Sequence, residues 1–341
     1  MRFFARERDI HFYTGCAHIP ERLSSNFAGI SMKKALLAVG TLLAGSMAFG
    51  SPLNSNARSV IPASSQQIIS VDYRAMHNSP TAMELKARVL PEALKEVESS
   101  LRQMGIDPDK DVDQLTFVSF RTQKNGLRSI GIAQGQLNQK QVLAGYRKRK
   151  VNGTKYLNSI LYPVSTGIQM TFLDENTILF GEPQSVKDGL SAQNGDTPGI
   201  ATNADVTDQI SSAESEPVWS VLDAQGTQTM LRNALGDASK LADYDTIKKR
   251  LGGSHYTLDF TRGVDFQLIV STSDGMTSGT LSALIKAGMM YRKMGASPIE
   301  KGAIDNMTVD SDSSSLRIHY KSDDHQFQAL LHSDLFASVS R

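Results

Sequence analysis

Two segments of the chain present the same landmarks in the same order, and that internal likeness constrains the fold more than any single motif. Ile68-Ile69-Ser70-Val71-Asp72 has strand character, and Val218-Trp219-Ser220-Val221-Leu222-Asp223 resembles it. A glycine follows 35 positions after Ser70, at Gly105, and 32 positions after Ser220, at Gly252. A Tyr-Arg-Lys triplet comes next, 41 positions on as Tyr146-Arg147-Lys148 and 39 positions on as Tyr291-Arg292-Lys293, each just behind an Ala-Gly pair. Landmarks repeating at near-constant spacing point to duplication, so the expectation is two units of about 125 residues.

The first unit reads element by element. After a strand at 68–73, Ser79-Pro80 is an N-cap with proline at the first helical position, and Pro91 opens a second helix that Gly105 closes. Leu90, Leu94, Val97, Leu101 and Met104 recur at steps of 4, 3, 4 and 3, which makes one apolar helix face. Strands Leu115–Thr122 and Leu127–Gln134 flank Asn125-Gly126, a hairpin signal. A helix over Gln139–Arg149, strands at 154–162, 168–173 and 177–181, and a helix at 184–192 complete the unit. The second unit repeats the plan: strand 218–223, helices at 227–235 and 242–251, a hairpin turning at Arg262-Gly263, a helix at 278–293, strands at 302–309 and 315–321, and a helix from Asp324 to Leu335.

The shared order is β-α-β-β-α-β with an extra strand and helix. The expected class is therefore α+β, as two tandem ferredoxin-like repeats with antiparallel sheets, at 66–192 and 218–336. Residues 193–217 are rich in Ser, Asp, Asn and Gly and read as a linker containing a short helix at 204–213.

Ahead of the repeats, Met32-Lys33-Lys34 is a short positive region, Ala35 to Ala44 is apolar, and Ser46, Ala48 and Gly50 are small. That is the pattern of a secretory signal peptide over 32–50. The apolar stretch from Ala35 to Phe49 is 15 residues, short of the roughly 20 needed to span a membrane. Residues 1–31 carry Arg8, Asp9, Glu21 and Arg22 and no second apolar stretch, so they are expected to be a mis-called upstream extension, with Met32 as the true start. Leu43-Ala44-Gly45-Ser46 resembles a lipobox whose cysteine is replaced by Ser46, which leaves nothing to acylate. The expectation is a periplasmic or secreted protein with no stable membrane anchor after cleavage.

Composition then excludes whole classes. The chain has 36 Lys and Arg against 35 Asp and Glu, and losing residues 1–50 removes six cations and three acids, taking the formal charge from +1 to −2. Over the whole chain such a balance gives no net charge with which to attract nucleic acid or an anionic membrane. The single cysteine, Cys16, goes with the same segment, so neither disulfides nor thiolate chemistry is expected.

The remaining 51–341 contains no H-E-x-x-H, G-x-S-x-G, S-x-x-K or P-loop pattern. Asp107-Pro108-Asp109-Lys110-Asp111-Val112-Asp113 resembles the opening of a calcium loop, but position 6 is Val112 instead of glycine and position 12 is Val118 instead of glutamate. It reads as a cap at Asp107 on a turn begun by Pro108. Arg147-Lys148-Arg149-Lys150, with Lys155 nearby, is the one dense basic run. At a helix end, cations complement the dipole, and on an exposed surface they also suit an acidic polymer or headgroup. His77, His255, His319, His325 and His332 read first as surface or packed histidines, and second, for His255 and His319 in expected strands, as a pair meeting across a sheet. Met289, Met290 and Met294 read first as core packing and second as a ligand groove.

The run from Val71 through the Asp107 motif, Trp219-Ser220-Val221-Leu222-Asp223 and the Asp237 to Tyr244 stretch together resemble a family of uncharacterised exported proteins of soil bacteria. The resemblance implies export and the duplicated layout, and carries no activity or site residue.

The functional expectation is a non-catalytic exported binding or scaffold protein whose partner is an envelope component or ligand. No cofactor and no metal are expected. Its candidate contact residues are Tyr146, Arg147, Lys148, Tyr291, Arg292 and Lys293, each triplet joining an aromatic ring to two cations. The alternatives are a hydrolase with a spatially assembled site using His255 or His319, and a carrier of an apolar ligand.

Overall fold

The computed structural model describes residues 52–89, 92–103, 105–122, 126–235, 244–260 and 262–332. The expected upstream extension and signal peptide lie outside these residues, as do Leu90, Pro91, Met104, Asn125, Asp237 and positions 333–336.

The chain enters through α1 (Ser55–Ser59) and β1 (Ser65–Asp72), then α2 (Tyr73–His77), α3 (Pro80–Val89), α4 (Glu92–Gln103) and α5 (Pro108–Asp111). A hairpin of β2 (Val112–Arg121) and β3 (Leu127–Gly135) leads to α6 (Gln139–Lys148), β4 (Thr154–Tyr156), β5 (Ser159–Ser165), β6 (Ile168–Asp174), β7 (Thr177–Gly181) and α7 (Pro183–Asn194). A 3-10 turn at Ile200–Thr202 and α8 (Ala204–Ala213) then reach β8 (Val218–Leu222). The second half continues with α9 (Ala224–Leu235), α10 (Tyr244–Lys248), β9 (Leu251–Asp259) and β10 (Val264–Thr272). It ends with α11 (Gly275–Gly295), α12 (Pro298–Asp305), β11 (Met307–Ser311), β12 (Ser315–Ser322) and α13 (Asp324–Leu331).

The fold is α+β, built on one sheet of twelve strands in the order β11-β12-β10-β9-β8-β1-β2-β3-β7-β6-β5-β4. Two separate sheets were the expectation, but the first strands of the two halves pair with each other, Ser70 opposite Trp219 and Ile68 opposite Val221. The ferredoxin-like order is not what forms. A split β-α-β unit needs a parallel pair with a strand between, whereas β1 and β2 are direct antiparallel neighbours across α2–α5. Among the described residues every strand pairing is antiparallel. From the centre outward, the order β1-β2-β3-β7-β6 runs opposite to β8-β9-β10-β12-β11.

Alternation along the strands divides the interior in two. Tyr73, Leu115, Val142, Tyr146, Leu268, Leu281 and Phe327 share the core on one face, beneath α6, α9, α11 and α13. Ile61, Ile68, Val118, Phe120, Val186, Ile210 and Trp219 share the core on the other, beneath α1, α7 and α8. In β10, Val264, Phe266, Leu268 and Val270 are buried while Asp265, Gln267, Ile269 and Ser271 are half-exposed. This is the period of two expected of a strand packed on one side only.

The segment read as a linker is part of the second core: Ile200, Val206, Ile210 and Ala213 are buried. The Ile200 amide donates to Ile61 O at 2.8 Å and the Ala63 amide to Pro198 O at 2.9 Å. Only 193–198 within it is continuously exposed. The short helix at Ala204–Ala213 forms where the sequence suggested, with the Asn203 side chain accepting from the Val206 amide.

Two aspartates act alike at the ends of the central strands. Asp72 accepts from the Ala75 amide at 2.8 Å, and Asp223 accepts from the Gly226 amide at 2.7 Å, so each turns its strand into a helix. Asp223 also takes a bidentate pair from Arg121 at 2.5 and 2.9 Å, tying β2 to the second half. Other landmarks separate. Gly105 sits at positive φ (+85°) after α4, while Gly252 lies inside β9, so that pair does not mark equivalent places. Residues 302–305, expected as strand, are helical, because Ser297 and Glu300 form a capping box that starts α12 at Pro298. The expected strand at 154–162 is a hairpin turning through Leu157, which adopts φ +49°.

Ahead of β2, a buried ion cluster fastens the short helices. Lys86 Nζ lies 2.7 Å from Glu98 Oε1 and 3.1 Å from Asp109 Oδ1, and 4.4 Å above the Tyr73 ring. Arg102 reaches Asp109 at 2.6 Å. Burial, and next the Glu98 carboxylate, push the Tyr73 hydroxyl far above its ordinary range. The Asp107 motif is the cap expected of it, with the Asp109 amide donating to Asp107 Oδ1 at 3.2 Å.

Candidate interaction surface

The two Tyr-Arg-Lys triplets ride on α6 and α11, which lie against the same face of the sheet near its opposite ends. The helices differ in length, 10 residues against 21, and that difference decides what each triplet presents.

In α6, which Asn138 caps through the Gln141 amide at 3.1 Å, Val142 and Tyr146 are the buried residues. Tyr146 is 3% exposed. Its ring packs on Tyr162 at 4.7 Å between centroids, and its hydroxyl donates to Pro163 O at 2.8 Å. Burial pushes that hydroxyl up to about 12. The first triplet's aromatic ring is thus a core group and is not available to a partner. Its cations are available: Arg147, Lys148, Arg149, Lys150 and Lys155 are all exposed, with Arg149 folded over the Tyr146 ring at 5.3 Å.

In α11 the Thr277 amide donates to Asp274 Oδ1 at 2.8 Å. That bond, with the Ser273 hydroxyl, pulls the Asp274 carboxyl down to about 2. Thr277, Ser278, Leu281 and Ser282 are buried, and Leu284, Ile285 and Met289 pack partly against the core. The opposite side is open. Met276, Ala283, Ala287, Met290 and Met294 recur along it at helical spacing, with Tyr291 beside them 77% exposed. Lys293 pairs with Asp305 of α12, and Arg292 is exposed. Of the methionines expected to be core, Met289 packs partly inward while Met290 and Met294 face solvent.

Exposure of large apolar side chains is confined. Among the described residues they are Leu157 and Ile160 in the β4–β5 hairpin and Met276, Met290, Tyr291, Met294 and Ile299 on α11–α12. Both groups stand next to exposed cations: Lys155 is directly opposite Ile160 in register, and Lys286 flanks the α11 stripe, with Arg292 exposed in the last turn of the helix on its other side. Sequence reasoning found the cations and missed the apolar stripe. The signal was Met at 276, 290 and 294 with alanine at 283 and 287.

The histidines do not converge. His255 on β9 and His319 on β12 are separated by β10. His255 is hydrogen-bonded to Gln209, and burial lowers its affinity for a proton. His319 Nε2 lies 2.7 Å from Asp265 Oδ1, and Lys321 Nζ lies 2.9 Å from Asp265 Oδ2. Burial opposes ionisation of Asp265, but Lys321 and His319 outweigh it and hold the carboxyl below its usual range. Burial raises Glu216 instead, helped by the charges of Asp259 and Asp265. Among the described residues no group of three or more His, Cys, Asp or Glu is placed to hold a metal ion, and no helix is long and apolar enough to cross a membrane.

Neither family models nor curated protein sequences give a match to this chain. A solved structure, crystal form I of TP0453, aligns over 83% of this chain and 96% of that chain at a TM-score of 0.39 and 8% identity, a likeness too slight to bear on function.

Proposed function

We propose that the protein is an exported, non-catalytic binding protein of the bacterial envelope, working in the periplasm or outside the cell. In this reading residues 32–50 are its signal peptide and the two halves are tandem repeats of the exported family that the sequence resembles. The opposed strand orders either side of β1–β8 and the paired caps at Asp72 and Asp223 support the repeat. The observation that carries the function is that exposed apolar side chains and exposed cations fall together, at β4–β5 and on α11–α12. Isolated apolar residues on a surface need no explanation, whereas apolar patches rimmed by polar and charged residues suit a contact surface. The contact residues are the cations Arg147, Lys148, Arg292 and Lys293, with Tyr291 as the accessible ring.

The test is retention of separated lipid, polysaccharide and protein fractions of an envelope extract on the immobilised protein. Charge reversal at Arg147, Lys148, Arg292 and Lys293 lowers retention if these residues form the surface. Unchanged retention removes them, and no retention by the unaltered protein removes the reading. A second reading, hydrolysis, is favoured by one arrangement: His319 Nε2 lies 2.7 Å from Asp265 Oδ1, an imidazole and carboxylate within hydrogen-bond reach, as acid–base catalysis uses. Turnover in a hydrolase screen that is lost in His319→Ala or His255→Ala, with folding intact, would establish it.

A further inference from the structure

We infer that the open face of α11 seats on an anionic lipid surface. The inference rests on reading this side of the molecule as a contact surface, and it names the partner. Three features of the helix lead there. First, the apolar stripe from Met276 to Met294 follows a convex ridge about 27 Å long at 1.5 Å per residue. A ridge of this shape needs a groove in a folded partner, whereas a fluid boundary closes around it without one.

Second, the chemistry is that of the water–lipid boundary. Met276, Met290 and Met294 are unbranched and conformable, and Tyr291 combines an apolar ring with a polar tip. Lys286 is exposed along one flank of the stripe, where a long side chain reaches past the apolar layer to headgroups, while Lys293 on the same flank is held by Asp305.

Third, the unpaired charge on the helix is positive. Gly275–Gly295 contains Lys286, Arg292 and Lys293 and no acidic residue, and of these Lys293 is paired with Asp305 of α12, which leaves Lys286 and Arg292. A second copy packed on this stripe would bring Lys286 of two molecules toward each other with no acid on either α11, so charge opposes self-association and favours an anionic surface. The same pairing of exposed apolar groups with cations recurs at Ile160 and Lys155 on the far end of the sheet.

The experiment is vesicle flotation of the full chain on vesicles of phosphatidylcholine alone and of phosphatidylcholine with 30% phosphatidylglycerol, so that anything contributed by residues before 52 is common to all variants. Expected is about tenfold stronger binding to the anionic vesicles, weakened by salt. Met290→Ser/Met294→Ser is expected to lower that binding by about tenfold, and Lys286→Gln by severalfold, with unchanged circular dichroism. Tyr291→Trp supplies a local reporter, because Trp219, the single tryptophan of the chain, is buried. Its emission moves to the blue on anionic vesicles, and that of the unaltered protein does not. Equal binding to both vesicle types, equal binding by the double variant, or no spectral shift at residue 291 would each overturn the inference. So would self-association that the double variant abolishes without any vesicle binding, which assigns the stripe to a second copy. If vesicles are not bound while an envelope fraction is still retained through Arg292 and Lys293, the lipid inference fails and the broader reading survives.

Discussion

α6 and α11 hold the same triplet against the same sheet face, yet one buries its tyrosine and the other displays it. The cause is helix length: Tyr146 is eighth in a helix that ends two residues later, over β5, and Tyr291 is seventeenth in a helix whose core contacts are concentrated in its first half. A shared tripeptide therefore marks neither a shared depth nor a shared role. Position relative to the packed turns decides whether an aromatic ring stabilises the fold or meets a partner.

The contrast breaks most visibly under truncation. Tyr146→Ala should lower stability by about 3 kcal/mol, because it empties a packed site, while Tyr291→Ala should stay within about 0.5 kcal/mol. Chemical denaturation of both variants checks this, and equal losses would mean that Tyr291 is also packed.

The two strand-end aspartates sharpen the comparison of the halves. Asp223→Ala removes a cap and strands Arg121, and should cost about 2 kcal/mol. Asp72→Ala removes a cap alone and should cost about 1 kcal/mol. The same denaturation curves rank them, and the reverse order would disprove the link from β2 to Asp223.

Alkaline titration separates Tyr146 again. Its folded-state value of about 12 lies above the ordinary 10, so the folded state holds this proton more tightly. The associated stability is complete below pH 10 and is lost as pH rises from 10 toward 12. Tyr146→Phe should cost about 1 kcal/mol near neutrality through the lost bond to Pro163. It should also flatten the fall in stability above pH 10, measured as Tm against pH. A slope unchanged from the unaltered protein would show that Tyr146 titrates normally.

The smallest effect concerns the cations. Arg147→Gln and Lys148→Gln remove charge from the last turn of α6 and should each cost about 0.3 kcal/mol through the helix dipole. Losses well above 1 kcal/mol would place these side chains in unrecognised ion pairs.

Local chemistry made much of this legible in the sequence. The cap at Asp107, the helix at 204–213 and the strand pairs 112–121 with 127–135 follow from residues within a few positions of one another. The capping box at Ser297 and Glu300 was equally local, and it outranks the β-like run that suggested a strand at 302–309. What sequence could not supply was the partner of β1. Ser70 meets Trp219 across 149 positions, and an alternating strand fits either an outer edge or a central place. The α11 stripe was hidden for a related reason: with Leu281, Leu284 and Ile285 on one side and Met276, Met290 and Met294 on the other, the helix has no single apolar face to read.

The β1–β8 ladder also governs how the molecule comes into being. Until residue 222 is available, β1 has an open flank, and the first half is an unfinished sheet waiting for a strand encoded 150 positions later. Chains that meet in that interval offer one another the same vacancy. Because the flank of β1 that β8 covers accepts an antiparallel strand, two first halves can close it by joining β1 to β1 about a two-fold axis. Severing the chain ahead of β8 should therefore yield symmetric dimers or aggregates in place of a stable half.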